Sequence, residues 1–215
     1  MLEISSYSMN SSVWKSYRCQ NAMVLQPDIN SIMRAILTDW IFEINKKFKF
    51  SKRYAHQTMK FLDISLEYTT ISRNELQMLG CACMSLVDLF FSSYSQDVSD
   101  WTYIADHSFT SKKFKSLRAE VLKYLKYNIF IRTYYDILRE KLINQSEIVK
   151  KYSMFLADYL LHYYSVAIED DNDVANDIIN ISANIKSIKC ESITRALYDI
   201  LNRKSTRLNS SHTDI

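Results

Sequence analysis

Apolar residues recur every three or four positions through most of this chain. Met33, Ile36, Leu37, Trp40 and Ile44 share one helical face, and the spacing predicts an amphipathic helix over roughly residues 29–46, introduced by Pro27 and Asp28. A second helix is expected after Ser51, over about 53–67. Ser72-Arg73-Asn74-Glu75 has the form of a capping box and opens a third, over about 73–92. There Leu76, Met78, Leu79, Cys81, Ala82, Cys83, Met84, Leu86, Val87, Leu89, Phe90 and Phe91 leave almost no polar face. A helix apolar all round belongs inside a bundle. Gly80 in its middle costs about 1 kcal/mol of helix propensity against alanine, and close approach of another helix is the expected compensation. Near residue 131 the pattern restarts. Tyr134–Leu142, Glu147–Val166, Val174–Ile188 and Ser192–Leu201 read as four more helices, with Asp170-Asp171-Asn172-Asp173 as a polar link and cap. Residues 1–27 are polar, with a short helix expected around Ser12–Gln20 and Trp14, Tyr17 and Val24 as anchors.

Composition sharpens this picture. The 215 residues include one glycine, Gly80, and one proline, Pro27. Hairpins and tight turns lean on those two residue types, so their scarcity argues for an all-α fold with polar loops. An AT-rich genome would produce the same bias. Hydrophobic residues make up 47% of the chain, enough to bury the core of one large domain or two small ones. Cys19, Cys81, Cys83 and Cys190 follow no metal spacing, which points to free thiols in a reducing compartment. No apolar run reaches membrane-spanning length, and no leader pattern opens the chain.

The net charge of +3 suggests a polyanionic partner until the last residues are considered. Lys204-Ser205-Thr206-Arg207-Leu208-Asn209-Ser210-Ser211-His212 is what a common sequencing-library adapter encodes when translated. Residues 203–215 are therefore expected to be a non-native tail. Without its three basic residues and one acid the charge falls to +1, and the electrostatic case for nucleic acid disappears.

No catalytic constellation is present. Glycine-rich phosphate loops, H-E-x-x-H and C-x-x-C are all missing, so an enzyme is not expected, and neither is a cofactor or a metal. His56, His107 and His162 are isolated and read as surface or satisfied histidines. The acidic run 170–173 lacks the glycine and terminal glutamate of a calcium loop.

The wording of several segments carries more than their periodicity. Met33-Arg34-Ala35-Ile36-Leu37-Thr38-Asp39-Trp40 resembles the opening helix of the cyclin box. Phe61-Leu62-Asp63-Ile64-Ser65-Leu66 is similar to the end of its second helix, and Leu76-Gln77-Met78-Leu79-Gly80-Cys81 to the start of the third. Val98-Ser99-Asp100-Trp101-Thr102-Tyr103-Ile104-Ala105-Asp106 resembles the short fourth helix. Phe109-Thr110 and Leu122-Lys123-Tyr124-Leu125-Lys126-Tyr127-Asn128-Ile129 resemble the fifth. The similarity is to the mitotic, A/B-type cyclins, strong over residues 28–130 and weak over 131–202. It implies an all-α cyclin fold of two consecutive helical bundles, the first a five-helix cyclin box and the second shortened and incomplete.

The resemblance also implies a function. Members of the family have no catalysis of their own; they bind a cyclin-dependent protein kinase, reposition its glutamate-bearing helix and dock substrates in cell-cycle control, in nucleus and cytoplasm. The family's substrate-docking patch falls on Met33, Ile36, Leu37, Trp40, Glu43, Leu76 and Gln77. It takes substrates or inhibitors with short basic-apolar motifs: the apolar residues suit an apolar anchor, and Glu43 suits the basic residue. The kinase-binding surface falls on Leu86, Leu89, Phe90, Arg118, Leu122, Tyr127 and Ile129. Here the chain departs from the family: Leu89 stands at a lysine position and Arg118 at the glutamate that works with it, so both members of a charge pair are gone. Arg34 and Asp63 match a structural ion pair joining the first helix to the second.

Two rival functions stay open at this point. A cyclin-fold adaptor that no longer activates a kinase would fit Leu89 and Arg118. A cyclin-fold nucleic-acid binder, like general transcription factors with paired cyclin repeats, would need a basic stripe, which the charge of +1 argues against.

Overall fold

The computed structural model describes residues 19–184. Among these residues lie nine α-helices and no strand. The first five are α1 (Ser31–Phe48), α2 (Lys52–Leu66), α3 (Leu76–Phe91), α4 (Val98–Ile104) and α5 (Ser111–Tyr124). The remainder are α6 (Tyr134–Lys141), α7 (Glu147–Leu160), the single turn α8 (Tyr164–Ala167) and α9 (Asp171–Asn184). Caps fix most of the starts. The Asn30 side chain accepts the Met33 N–H at α1, and the Ser72–Glu75 capping box forms ahead of α3, where Arg73–Glu75 make one 3-10 turn. With glycine so scarce, ordinary residues take left-handed backbone at the turns: Lys49 after α1, Asp106 and His107 after α4, Lys126 and Tyr127 after α5.

The first bundle is organised by α3, which packs on α1, α2 and α5. From Leu76 to Asp88 every residue of α3 except Gln77 is buried. Its one glycine marks the approach of α1: a Cβ on Gly80 would sit 3.1 Å from Leu37 Cδ1. The second bundle consists of α6, α7 and α9, which pack on one another.

Three expectations are corrected. The helix expected over Glu147–Val166 breaks after Leu160. The break frees the Leu161 carbonyl to accept Arg34 Nη1 at 2.9 Å and lets the Tyr164 hydroxyl reach the Cys19 carbonyl at 2.6 Å. The helix expected from Val174 starts three residues earlier, because Asp170 caps it: Asp170 Oδ1 accepts the Asn172 N–H at 2.9 Å. Val24 does not anchor the N-terminal segment; it is 80% exposed. Cys19 and Ala22 are buried instead, and Gln26 donates to the Leu66 and Thr69 carbonyls while accepting the Ile71 N–H. The anchors Trp14 and Tyr17, the helix Ser192–Leu201 and the tail 203–215 lie outside the described residues, as does nearly all of Ser12–Gln20.

Candidate functional site

Between the two bundles runs α2, buried without interruption from Ala55 to Leu66. Three of its polar residues pair with the second bundle. Arg53 Nε meets Asp136 Oδ1 at 2.6 Å, His56 Nε2 meets Asp158 Oδ1 at 3.2 Å, and Lys60 Nζ meets Asp171 Oδ2 at 2.7 Å. Asp63 turns to α1, where Arg34 grips it with two hydrogen bonds. Burial opposes the charge on Arg34, but the Asp63 carboxylate outweighs it and holds the guanidinium above its ordinary pKa. Burial lifts the Asp171 carboxyl, with Lys60 pulling the other way. His56 is lowered by burial, against the pull of Asp158. Charges so placed must be paired, and they hold the two bundles in one register.

The buried thiols are not nucleophiles. Burial pushes Cys81 up to about 12 and raises Cys19 and Cys83 further, so no thiolate forms near neutral pH. Among the described residues no group of three His, Cys, Asp or Glu could hold a metal ion, and no helix is long and apolar enough to cross a membrane. His56 and His162 are paired with Asp158 and Asp39, and His107 is exposed.

The first candidate surface lies where α1 crosses the head of α3. Met33, Ile36, Trp40 and Glu43 follow one another along α1 at helical spacing. Ile36 is 63% exposed, Met33 and Trp40 are half-buried, and Glu43 is exposed. Leu37 and Leu76 are buried beneath them and Gln77 is half-buried. The floor is thus Leu37 against Gly80, and the rim is apolar with one acid. At the head of α3 the Glu75 carboxylate is pulled down to about 2 by Lys113 and by the Ser72 N–H and hydroxyl.

The second candidate surface is at the other end of α3. After thirteen positions that are buried except at Gln77, Leu89 and Phe90 emerge 48% and 44% exposed. Leu86 and Ile129 stay in the core beneath, Leu122 and Arg118 are half-buried on α5, and Tyr127 is 68% exposed. The Arg118 guanidinium lies 5.9 Å from the Phe114 ring centre. Three residues not singled out in the sequence belong here. Phe91 meets Phe130 edge to face at 6.1 Å, and buried Asp88 accepts the Ser92 hydroxyl at 2.5 Å and the Gln96 N–H at 2.6 Å, fixing the chain as it leaves α3. Phe91 and Phe130 were legible as apolar residues flanking the motif; nothing in the pattern marked Asp88.

Comparison with known proteins places this geometry. The family model for the cyclin N-terminal domain matches residues 3–130. The chain is similar to the G2/mitotic-specific cyclin-A of Hydra viridissima, 31% identical over 140 residues, which is 65% of this chain and 33% of that protein. Cyclin-A2 of Homo sapiens is 31% identical over 142 residues, 65% of this chain and 33% of that protein. G2/mitotic-specific cyclin-B2 of Rana japonica is 31% identical over 102 residues, 47% of this chain and 26% of that protein. The chain spans about a third of the length of the first two relatives. Among solved structures, the X-ray structure of a viral cyclin from herpesvirus saimiri superposes with a TM-score of 0.68 at 17% identity, covering 86% of this chain and 83% of that one. That likeness is one of fold.

Proposed function

This chain belongs to the cyclin family, and on that premise we propose that it is a regulatory subunit that binds and activates a cyclin-dependent protein kinase in cell-cycle control. One observation carries the proposal. The helix that forms the core of the first bundle ends in adjacent exposed apolar residues, Leu89 and Phe90, beside the Phe91–Phe130 pair. Clustered apolar side chains at the surface mark a protein interface. A partner bound there is activated only if the contact prefers the active kinase conformation. The α1–α3 surface complements this role: an apolar anchor of a substrate or inhibitor motif rests on Met33, Ile36 and Trp40, and a basic residue reaches Glu43. Co-purification with cyclin-dependent kinases, followed by a phosphotransfer assay, tests the proposal: a kinase that binds and gains activity supports it, and the absence of any bound kinase refutes it.

A second function is favoured by a specific departure. Leu89 and Arg118 replace the charge pair that orients the kinase in the family, which suits an adaptor that keeps the docking groove and has lost activation. A kinase that binds without gaining activity is the outcome that separates the two.

A further inference from the structure

One face of α7 is apolar and uncovered. Val149, Ser153, Leu156, Ala157 and Leu160 are buried where α7 packs on α6 and α9. Beside that face Ile148, Tyr152, Phe155 and Tyr159 recur at helical spacing and are between 40% and 64% exposed. Single exposed apolar residues are ordinary, but a contiguous row of them marks a surface that something covers. The first bundle shows what such a cover looks like: α5 lies on both α2 and α3. In the second bundle α7 and α9 pack on each other as α2 and α3 do, and among the described residues the row on α7 stays open.

We infer that this row is the seat of residues 192–201 of the same chain. Their sequence places Ile193, Ala196, Leu197, Ile200 and Leu201 at the spacing of one helical face. The path of the chain leads there. The Tyr134 N–H donates to Asp171 and the Tyr134 hydroxyl to the Ala157 carbonyl, so α9 begins beside the end of α7. The Lys141 ammonium donates to Asn176, so α9 runs parallel to α6 and opposite to α7. Asn184 therefore lies towards the Glu147 end of α7, where the row begins. The link 185–191 reaches up to about 25 Å, well beyond the roughly 10 Å between packed helices. Ten residues of helix are about 15 Å long, and Ile148 to Tyr159 is about 16 Å. Running back along α7, the segment brings Leu197 to Tyr152 and Ile200 to Phe155. A second copy of the chain competes poorly for the same face. Tethering gives the segment an effective concentration in the millimolar range, and a second copy would leave residues 192–201 with an apolar face of their own to bury.

The test is disulfide trapping in the full chain carrying Cys190→Ser, which leaves the buried Cys19, Cys81 and Cys83 as the native thiols. Phe155→Cys is combined with Ile200→Cys, and in a second variant Tyr152→Cys with Leu197→Cys. Phe155→Cys with Ser192→Cys is the mismatched control, and circular dichroism verifies that each variant folds. A disulfide needs its two Cα atoms within about 7 Å. After oxidation with copper phenanthroline the matched pairs should therefore form an intramolecular disulfide in several-fold higher yield than the control, read by mass spectrometry of the monomer. Equal yields in matched and control pairs overturn the inference. So does a covalent dimer from Phe155→Cys alone, which would seat a second copy on α7. A thiol at position 155 that reacts with a maleimide as fast as free cysteine would leave the row bare and overturn it as well. None of these results depends on kinase binding, so the proposed function stands or falls separately.

Discussion

The Arg34 guanidinium meets the Asp63 carboxylate at two points, Nε to Oδ1 and Nη2 to Oδ2, both at 2.7 Å. Both side chains are almost wholly buried, and the third arm of the guanidinium reaches the Leu161 carbonyl. One residue of α1 thus ties α2 and the turn after α7 to the same point. Arg34→Ala should destabilise the protein by about 3–5 kcal/mol, since it strands a buried carboxylate. Arg34→Met combined with Asp63→Leu should recover much of that loss. Urea unfolding of the wild type and the two variants measures both numbers.

Gly80 sets how near α1 comes to α3. The site of its missing Cβ is already within 3.1 and 3.3 Å of the two Leu37 methyl carbons. Gly80→Leu would force Leu37 outward, and overpacking of this kind costs about 1–3 kcal/mol. The same displacement should weaken peptide docking on the α1–α3 surface, read by fluorescence anisotropy with a basic-apolar peptide.

Acid sensitivity should trace to His56. Burial lowers its folded-state pKa below the ordinary 6.5, so the unfolded chain takes up the proton first as pH falls. Stability is therefore intact above 6.5 and declines below it, down through the folded pKa. Around the ring stand Asp158, Lys52 and Asp136, with Tyr134, Tyr135 and Phe42 packed against it. Melting temperatures between about pH 7.5 and 5 should fall for the wild type and flatten in His56→Gln, which still donates to Asp158 but does not titrate in this range.

Lys49 closes α1 at φ 57° and ψ 32°, left-handed backbone where glycine is favoured. Lys49→Gly should stabilise by about 0.5–1 kcal/mol, the relieved strain less the added freedom of the unfolded chain. Chemical denaturation checks the sign.

The polar stripe of α2 shows where the sequence pattern fails. Arg53, His56 and Lys60 lie at helical spacing with nothing local to tell them from a solvated face, yet they are the contact surface for Asp136, Asp158 and Asp171 of the second bundle. Local periodicity distinguishes apolar from polar, not water from a polar partner distant in sequence. The same limit explains Gln26, whose three hydrogen bonds anchor the N-terminal segment in place of the expected Val24. What depended on apolar burial was legible: the core helix around Leu79 and Met84, the close contact at Gly80, and a first helix shifted by only two residues at each end. The break after Leu160 was not legible, because the contact it allows, a hydrogen bond from Arg34 to the Leu161 carbonyl, comes from a residue far along the chain.

The proposed kinase contact at the apolar end of α3 lacks the charge pair usual in the family, so affinity there should depend on Phe90. It is tested most directly by measuring the affinity of the wild type, Phe90→Ala and Trp40→Ala for the co-purifying kinase, with folding verified by circular dichroism. The predicted result is a loss of about 2–4 kcal/mol in Phe90→Ala, the range for a buried aromatic hot spot, and little change in Trp40→Ala, whose defect should appear only in substrate docking. Unchanged kinase affinity in Phe90→Ala would contradict the account.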